Sequence, residues 1–169
     1  RKSAENTPEY QVALNTLTAW RSAHSYVLNT FQALLRSKSR AYKGVVIAQR
    51  LKRLPSILTK LNRFKVRMSQ VQDIAGLRVI LPTVEDVYKF HSALAKAHGI
   101  HEPKVPPTDY IQQPKPDGYK SIHQIFRYRS KDHESLNVLA AEIQIRSRLQ
   151  HAWATAVETL GAIEHESFK

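Results

Sequence analysis

The chain has 169 residues, 26 Lys/Arg against 14 Asp/Glu, a net charge of +12, and no cysteine. That length suits one domain with its own core. The missing cysteines exclude disulfides and Cys-ligated zinc and fit a reducing compartment, so a cytoplasmic location is expected. No apolar run approaches the ~18 residues of a membrane span, and no signal peptide is visible. The eight histidines are scattered, without an HExxH spacing. The charge is uneven: residues 1–72 hold 14 Lys/Arg and 2 Asp/Glu, and residues 73–169 hold 12 of each. Such asymmetry points to a polyanionic partner, with a solvated basic helical face as the plainer alternative.

Residues 9–35 carry apolar side chains at helical spacing and predict one or two amphipathic helices. Residues 37–44 read as a polar, basic break. A short strand is expected over 45–48, then a helix with Pro55 in its first turn, running to about Arg63. Residues 77–81 are apolar and β-branched, a buried strand between Gly76 and Pro82. Thr83 is placed to N-cap a helix reaching about His98, with Gly99 as its C′ residue. A Pro-rich loop follows. Strands are expected over 121–128 and 138–146, with a turn over 131–137 between them. In the second strand Glu142, Gln144 and Arg146 share one face, and Ile143 and Ile145 the other. The last helix is expected over 149–163. The fold class is α+β: a small mixed sheet with helices packed on it and a helical N-terminal leader.

Several residues exceed what structure alone needs. Arg50, Lys52, Ser56 and Lys60 follow a two-four-four spacing across a strand-to-helix turn. They form either a triphosphate cradle at a helix N-terminus or an ordinary basic helix. Asp73 precedes a strand and Glu142 lies within one. A carboxylate there requires a partner, either Mg²⁺ shared between the two or an arginine such as Arg78 or Arg146. The loop DYIQQPKPDGYKSIH, residues 109–123, needs its Pro, Asp and Gly for turning. It does not need Lys115, Tyr119, Lys120 or His123.

Taken together these blocks resemble the synthetase domain of the RelA/SpoT family, the pyrophosphokinases that make (p)ppGpp. The blocks are R-x-K-x-x-x-S-x-x-x-K from Arg50 to Lys60, DIAGLRVI from Asp73 to Ile80, the 109–123 loop, and EIQIRSRLQHAW from Glu142 to Trp153. They cover about residues 42–160. The resemblance implies a nucleotidyltransferase-like sheet and transfer of the β,γ-pyrophosphate of ATP to the 3′-hydroxyl of GDP or GTP. It implies that Asp73 and Glu142 hold Mg²⁺ and are the catalytic pair. It implies that Arg50, Lys52, Ser56, Lys60 and Arg78 bind ATP. Lys115, Tyr119, His123, Gln144 and Arg146 would serve the acceptor, with Tyr119 stacking on its base. The division expected is a basic leader over 1–40 and the pyrophosphokinase domain over 41–169. Thr108, Ser147 and the HAWATAVET run depart from the long enzymes and look more like the small synthetases and their toxin relatives. Transfer to the 3′ end of tRNA, with an inhibitory antitoxin or attached regulatory domain as partner, is therefore an alternative. An inactive nucleotide- or RNA-binding module is another. No hydrolase motif is present, so alarmone degradation is not expected from this chain.

Overall fold

The computed structural model describes residues 7–163, so the outer ends of the two segments expected over 1–40 and 41–169 lie outside the described residues. Helix α1 spans Pro8–Ser39. Thr7 caps it, its hydroxyl accepting from the Tyr10 amide at 3.2 Å, and Pro8 stands in the first turn, where its missing N–H costs nothing. Leu17, His24, Val27, Leu28, Phe31 and Leu35 recur at helical spacing and are buried, so α1 presents one continuous stripe. It is a single helix. It also runs through the start of the basic segment, so the break begins at Arg40 rather than Ser37. Arg36 and Ser37 lie on its exposed side and ask nothing of the core.

Strand β1 spans Val46–Leu51, longer than the 45–48 expectation. Helix α2, Leu54–Phe64, follows with a proline in its first turn. Its Ile57 packs with Leu17, Val71 and Ile74 in a small separate cluster. Strand β2 is Ala75–Leu81 and helix α3 is Val84–Lys96. Thr83 caps α3 as expected, accepting from the Asp86 amide at 3.1 Å and donating to its carboxylate at 2.7 Å. The helix stops at Lys96 with Ala97 as C-cap, two residues short of His98. Gly99 does have positive φ, +70°, but stands one place beyond the C′ position.

The Pro-rich loop contains two short strands, β3 (Glu102–Pro103) and β4 (Thr108–Asp109). Both pair antiparallel with β5, Ile122–Arg127. Strand β6, Ala140–Ser147, starts two residues later than expected, because Leu139 closes a turn onto Leu136 instead. Helix α4 is Arg148–Ile163. The sheet runs β1-β2-β6-β5-β3, with β4 also on β5. Only β2 and β6 are parallel; β1–β2 and β5–β6 are antiparallel.

Register sorts the side chains onto two faces. Leu77, Val79, Ile143, Ile145, Ile122 and Phe126 face α1 and α3 and form the main core with Val27, Phe31, Leu35, Val87, Phe90 and Leu94. The residues between them, Arg50, Arg78, Glu142, Gln144, Arg146 and His123, occupy the opposite face, where α4 lies. The apolar face holds the fold, which leaves the polar face for chemistry. The helical leader is part of this same core, since α1 supplies four of its buried side chains.

Candidate active site

Two rows cross the polar face. In one, Arg50 is opposite Gly76 and Gly76 opposite Glu142. In the next, Arg78 is opposite Gln144 and Gln144 opposite His123. Gly76 adds no side chain between Arg50 and Glu142, and a cavity of about 190 Å³ opens there. Arg50, Asp73, Arg78, Glu142 and Gln144 line it, together with Glu158 from α4.

Asp73 sits just before β2, where the chain leaves the 3₁₀ turn at Met68–Gln70. Lys52 Nζ donates to its Oδ2 at 2.8 Å and Lys60 Nζ to its Oδ1 at 2.9 Å. Lys52 lies just past the end of β1, where its amide donates to Ile74 and its carbonyl accepts from Arg21 Nε. Lys60 comes from the second turn of α2. Burial would raise the Asp73 pKa, but the two ammonium groups outweigh it and hold the carboxyl below its ordinary value. Ser56, one turn before Lys60, is exposed and does not line the cavity. Of the cradle expected from Arg50, Lys52, Ser56 and Lys60, Arg50 lines the cavity and Lys52 and Lys60 meet on its Asp73, while Ser56 does neither.

Glu142 is held at both oxygens. His123 Nδ1 stands 3.1 Å from Oε1, and Gln144 Nε2 donates to Oε2 at 2.8 Å. Burial pushes the Glu142 pKa up; His123 and Gln144 together pull it below the usual carboxylate range. Neither acid pairs with an arginine among the described residues. Asp73 takes lysines, and Glu142 takes a histidine and an amide. The two carboxylates line the same cavity wall, and hard oxygen donors of that kind suit Mg²⁺, which is held by one or two carboxylates and otherwise by water and phosphate.

The 109–123 loop folds over the far end of this face. Asp109 pins its start, accepting from the amides of Ile111 and Gln112 and from the Tyr88 hydroxyl. Gly118 adopts φ +76°, and the Asp117 carboxylate accepts from the Tyr119 amide at 2.9 Å. Trp153 of α4 donates from Nε1 to the Asp117 carbonyl at 3.1 Å and clamps the loop to the helix. Lys115 Nζ lies 4.7 and 4.8 Å from the ring centres of Tyr110 and Tyr119. The Tyr119 hydroxyl meets His123 Nε2 at 2.8 Å, so both nitrogens of His123 are engaged and a chain runs Tyr119–His123–Glu142. Burial raises the Tyr119 pKa. Arg146 is 1% exposed beneath the Tyr119 ring, 6.0 Å from its centre, and donates Nη2 to His151 Nδ1 at 2.8 Å. Its Nε and Nη1 have no hydrogen-bond partner among the described residues, and burial and the nearby Arg78 charge lower its pKa.

Sequence reasoning missed three participants: Gly76, Trp153 and Glu158. Glu158 had a legible signal. It lies one helical turn beyond Ala154, which with Gln150 forms the buried stripe of α4, so it is a charge on the inward stripe.

A profile of the region found in RelA and SpoT proteins matches residues 49–162. The GTP pyrophosphokinase YwaC of Bacillus subtilis is 35% identical over 112 residues, covering 63% of this chain and 52% of that protein. The GTP pyrophosphokinase of Escherichia coli is 27% identical over 165 residues, covering 95% of this chain and 20% of that one. The chain thus spans about half the length of the first relative and a fifth of the second. Among solved structures, small alarmone synthetase 2 from Bacillus subtilis superposes with a TM-score of 0.71 at 28% identity, over 88% of this chain and 82% of the other. The profile match covers two thirds of the chain and includes both cavity acids, and on that ground the chain belongs to the RelA/SpoT family.

Proposed function

We propose that the chain is an ATP-dependent pyrophosphokinase that transfers the β,γ-pyrophosphate of ATP to the 3′-hydroxyl of GDP or GTP, yielding a (p)ppGpp-type product and AMP. The observation that carries this reading is the meeting of Asp73 and Glu142, far apart in sequence, on one cavity beside Arg50 and Arg78. In-line phosphoryl chemistry needs placement and charge neutralisation more than covalent help.

Arg50, Arg78, Lys52 and Lys60 are assigned to ATP; the two lysines, now holding Asp73, would exchange that carboxylate for phosphate oxygens. Ser56, exposed one turn below Lys60, would join them only at the outer phosphate. Asp73 and Glu142 would hold Mg²⁺, which supplies charge neutralisation across the phosphate oxygens. Tyr119 offers its ring to the acceptor base, with Lys115 and Arg146 adding positive charge around it. Gln144 and His123 orient the Glu142 carboxylate toward the acceptor. Glu142 receives the 3′-hydroxyl proton as that oxygen forms its bond to the β-phosphorus of ATP. The bond from that phosphorus to the α-phosphate oxygen breaks, and AMP leaves with the electron pair.

The test is incubation with ATP radiolabelled at its γ-phosphate and with GDP, GTP, ADP or bulk tRNA. Label should appear in GDP and GTP. Label in none of them, from a folded protein with Mg²⁺ present, would overturn the proposal. Exposure of Arg36 in the last turn of α1, and of Arg40 and Lys43 after it, keeps tRNA as a second reading of the acceptor. Replacing Arg36, Lys38, Arg40 and Lys43 with Ser should leave transfer to GDP within about threefold, because charges beyond a Debye length of about 8 Å contribute little. Strong tRNA labelling lost in that variant, with GDP never labelled, would favour tRNA.

A further inference from the structure

We propose that Glu158 reads the acceptor base and selects guanine. This rests on the pyrophosphokinase reading and specifies its substrate.

Two cavities meet at Glu158. One is the space of about 190 Å³ holding Asp73 and Glu142; the other, about 30 Å³, lies under the 109–123 loop, between Tyr119 and Trp153. Among the described residues Glu158 is the only side chain that lines both. The smaller space has two aromatic walls, Tyr119 and Trp153. Its Trp153 is fixed by the bond to the Asp117 carbonyl, and its Tyr119 by the bond to His123. Both rings are therefore set before a ligand arrives.

Aromatic surfaces accept any base, since every base has a π-face. Selection has to come from the edge. Glu158 makes no hydrogen bond and no close ion pair among the described residues, and the Arg146 charge lies close enough to interact with it. A carboxylate has acceptors only. Guanine presents two parallel donors, N1–H and the 2-amino group, which match two carboxylate oxygens. Adenine presents a lone pair at N1, which the carboxylate repels, so the same group attracts one purine and rejects the other. Because Glu158 also borders the ATP cavity, a rival role is to accept from the 6-amino group of the donor adenine, and kinetics separate the two.

The experiment measures transfer by the full chain at saturating ATP, with GDP, IDP or ADP varied as acceptor, for wild type, Glu158→Gln and Glu158→Ala. IDP keeps N1–H and lacks the 2-amino group. In wild type kcat/KM should fall from GDP to IDP and again to ADP. Glu158→Gln should lower kcat/KM for GDP about ten- to a hundredfold, the scale of one lost charge-assisted hydrogen bond. It should lower IDP use less and leave the ATP KM within about twofold. Glu158 is exposed, so both variants should fold, and the wild-type GDP/IDP ratio tests the idea without any variant. Unchanged GDP use by Glu158→Gln, equal GDP and IDP use by wild type, or a shift confined to the ATP KM overturns this inference alone. A wild type that labels tRNA and no nucleotide overturns the acceptor reading beneath it as well.

Discussion

Replacing Asp73 with Asn separates binding from transfer. In the structure each Asp73 oxygen holds one lysine. Asn keeps one acceptor oxygen, so one ammonium loses its partner, a charge-assisted contact worth about 1.5–3 kcal/mol. Lys60 is the freer of the two, with its side chain 35% exposed against 17% for Lys52, and can turn toward water. The lower end applies, about 1.5 kcal/mol, which for a chain of this size lowers Tm by about 3–6 °C. The released ammonium is then free for phosphate, so ATP binding without Mg²⁺ should hold or tighten. Transfer should fall by at least about 10²-fold, the scale of losing one preorganised electrostatic group. Calorimetry of ATP binding, a thermal melt and a transfer assay read the three quantities on one preparation. Near wild-type transfer with the fold intact would refute the assignment of Asp73, and a weaker ATP affinity would refute the exchange of carboxylate for phosphate at the lysines.

Tyr119→Ala should raise the acceptor KM about ten- to a hundredfold, from the ~1–3 kcal/mol of one base stack, with the ATP KM unchanged in steady-state kinetics. Tyr119→Phe keeps the ring and should lose far less. Gly118→Ala should cost both stability and acceptor binding: at φ +76° the new Cβ would stand 3.0 Å from Trp153 Nε1, so the loop must strain or release the indole, readable as a lower Tm with a raised GDP KM. Acid should destabilise the fold through His24 and His101. Burial lowers both pKa values, so the folded chain keeps them neutral while the unfolded chain takes up protons below about pH 6.5. Their contribution is full above that pH and lost as pH falls toward the folded values, so Tm should drop between pH 7.5 and pH 5, and less in His101→Gln.

The alternation of β6 was legible because period two is local: EIQIR shows its acids and amides on one face and its isoleucines on the other before any partner is known. The cap at Thr83 was legible for the same reason, since cap and partner are three residues apart. What required the structure was pairing across distance. Asp73 with Lys52 and Lys60 satisfies the need for a counter-charge with different cations from the arginines expected, and nothing near DIAGLR points to them. The Tyr119–His123–Glu142 chain joins a loop to another strand. The short strands β3 and β4 lie in a Pro-rich stretch whose local signals all read as loop, and only the edge of β5 makes them strands.

The one parallel pairing of the sheet has a consequence for how the protein comes into being. Ala75 meets Ala141 and Leu81 meets Ser147, so the central ladder joins segments separated by most of the second half of the chain. Closing so long a loop is costly until the ladder repays it, so this contact is expected to form late in folding. Asp73 stands at the entrance to one of its strands and Glu142 in the middle of the other. A ribosome-bound chain that has not yet released β6 therefore has its basic residues and the first acid but no second acid beside them. On the proposed reading, catalytic competence arrives with the completion of the sheet, and a nascent or truncated chain lacking β6 should be silent toward ATP chemistry even while its N-terminal helices have begun to form.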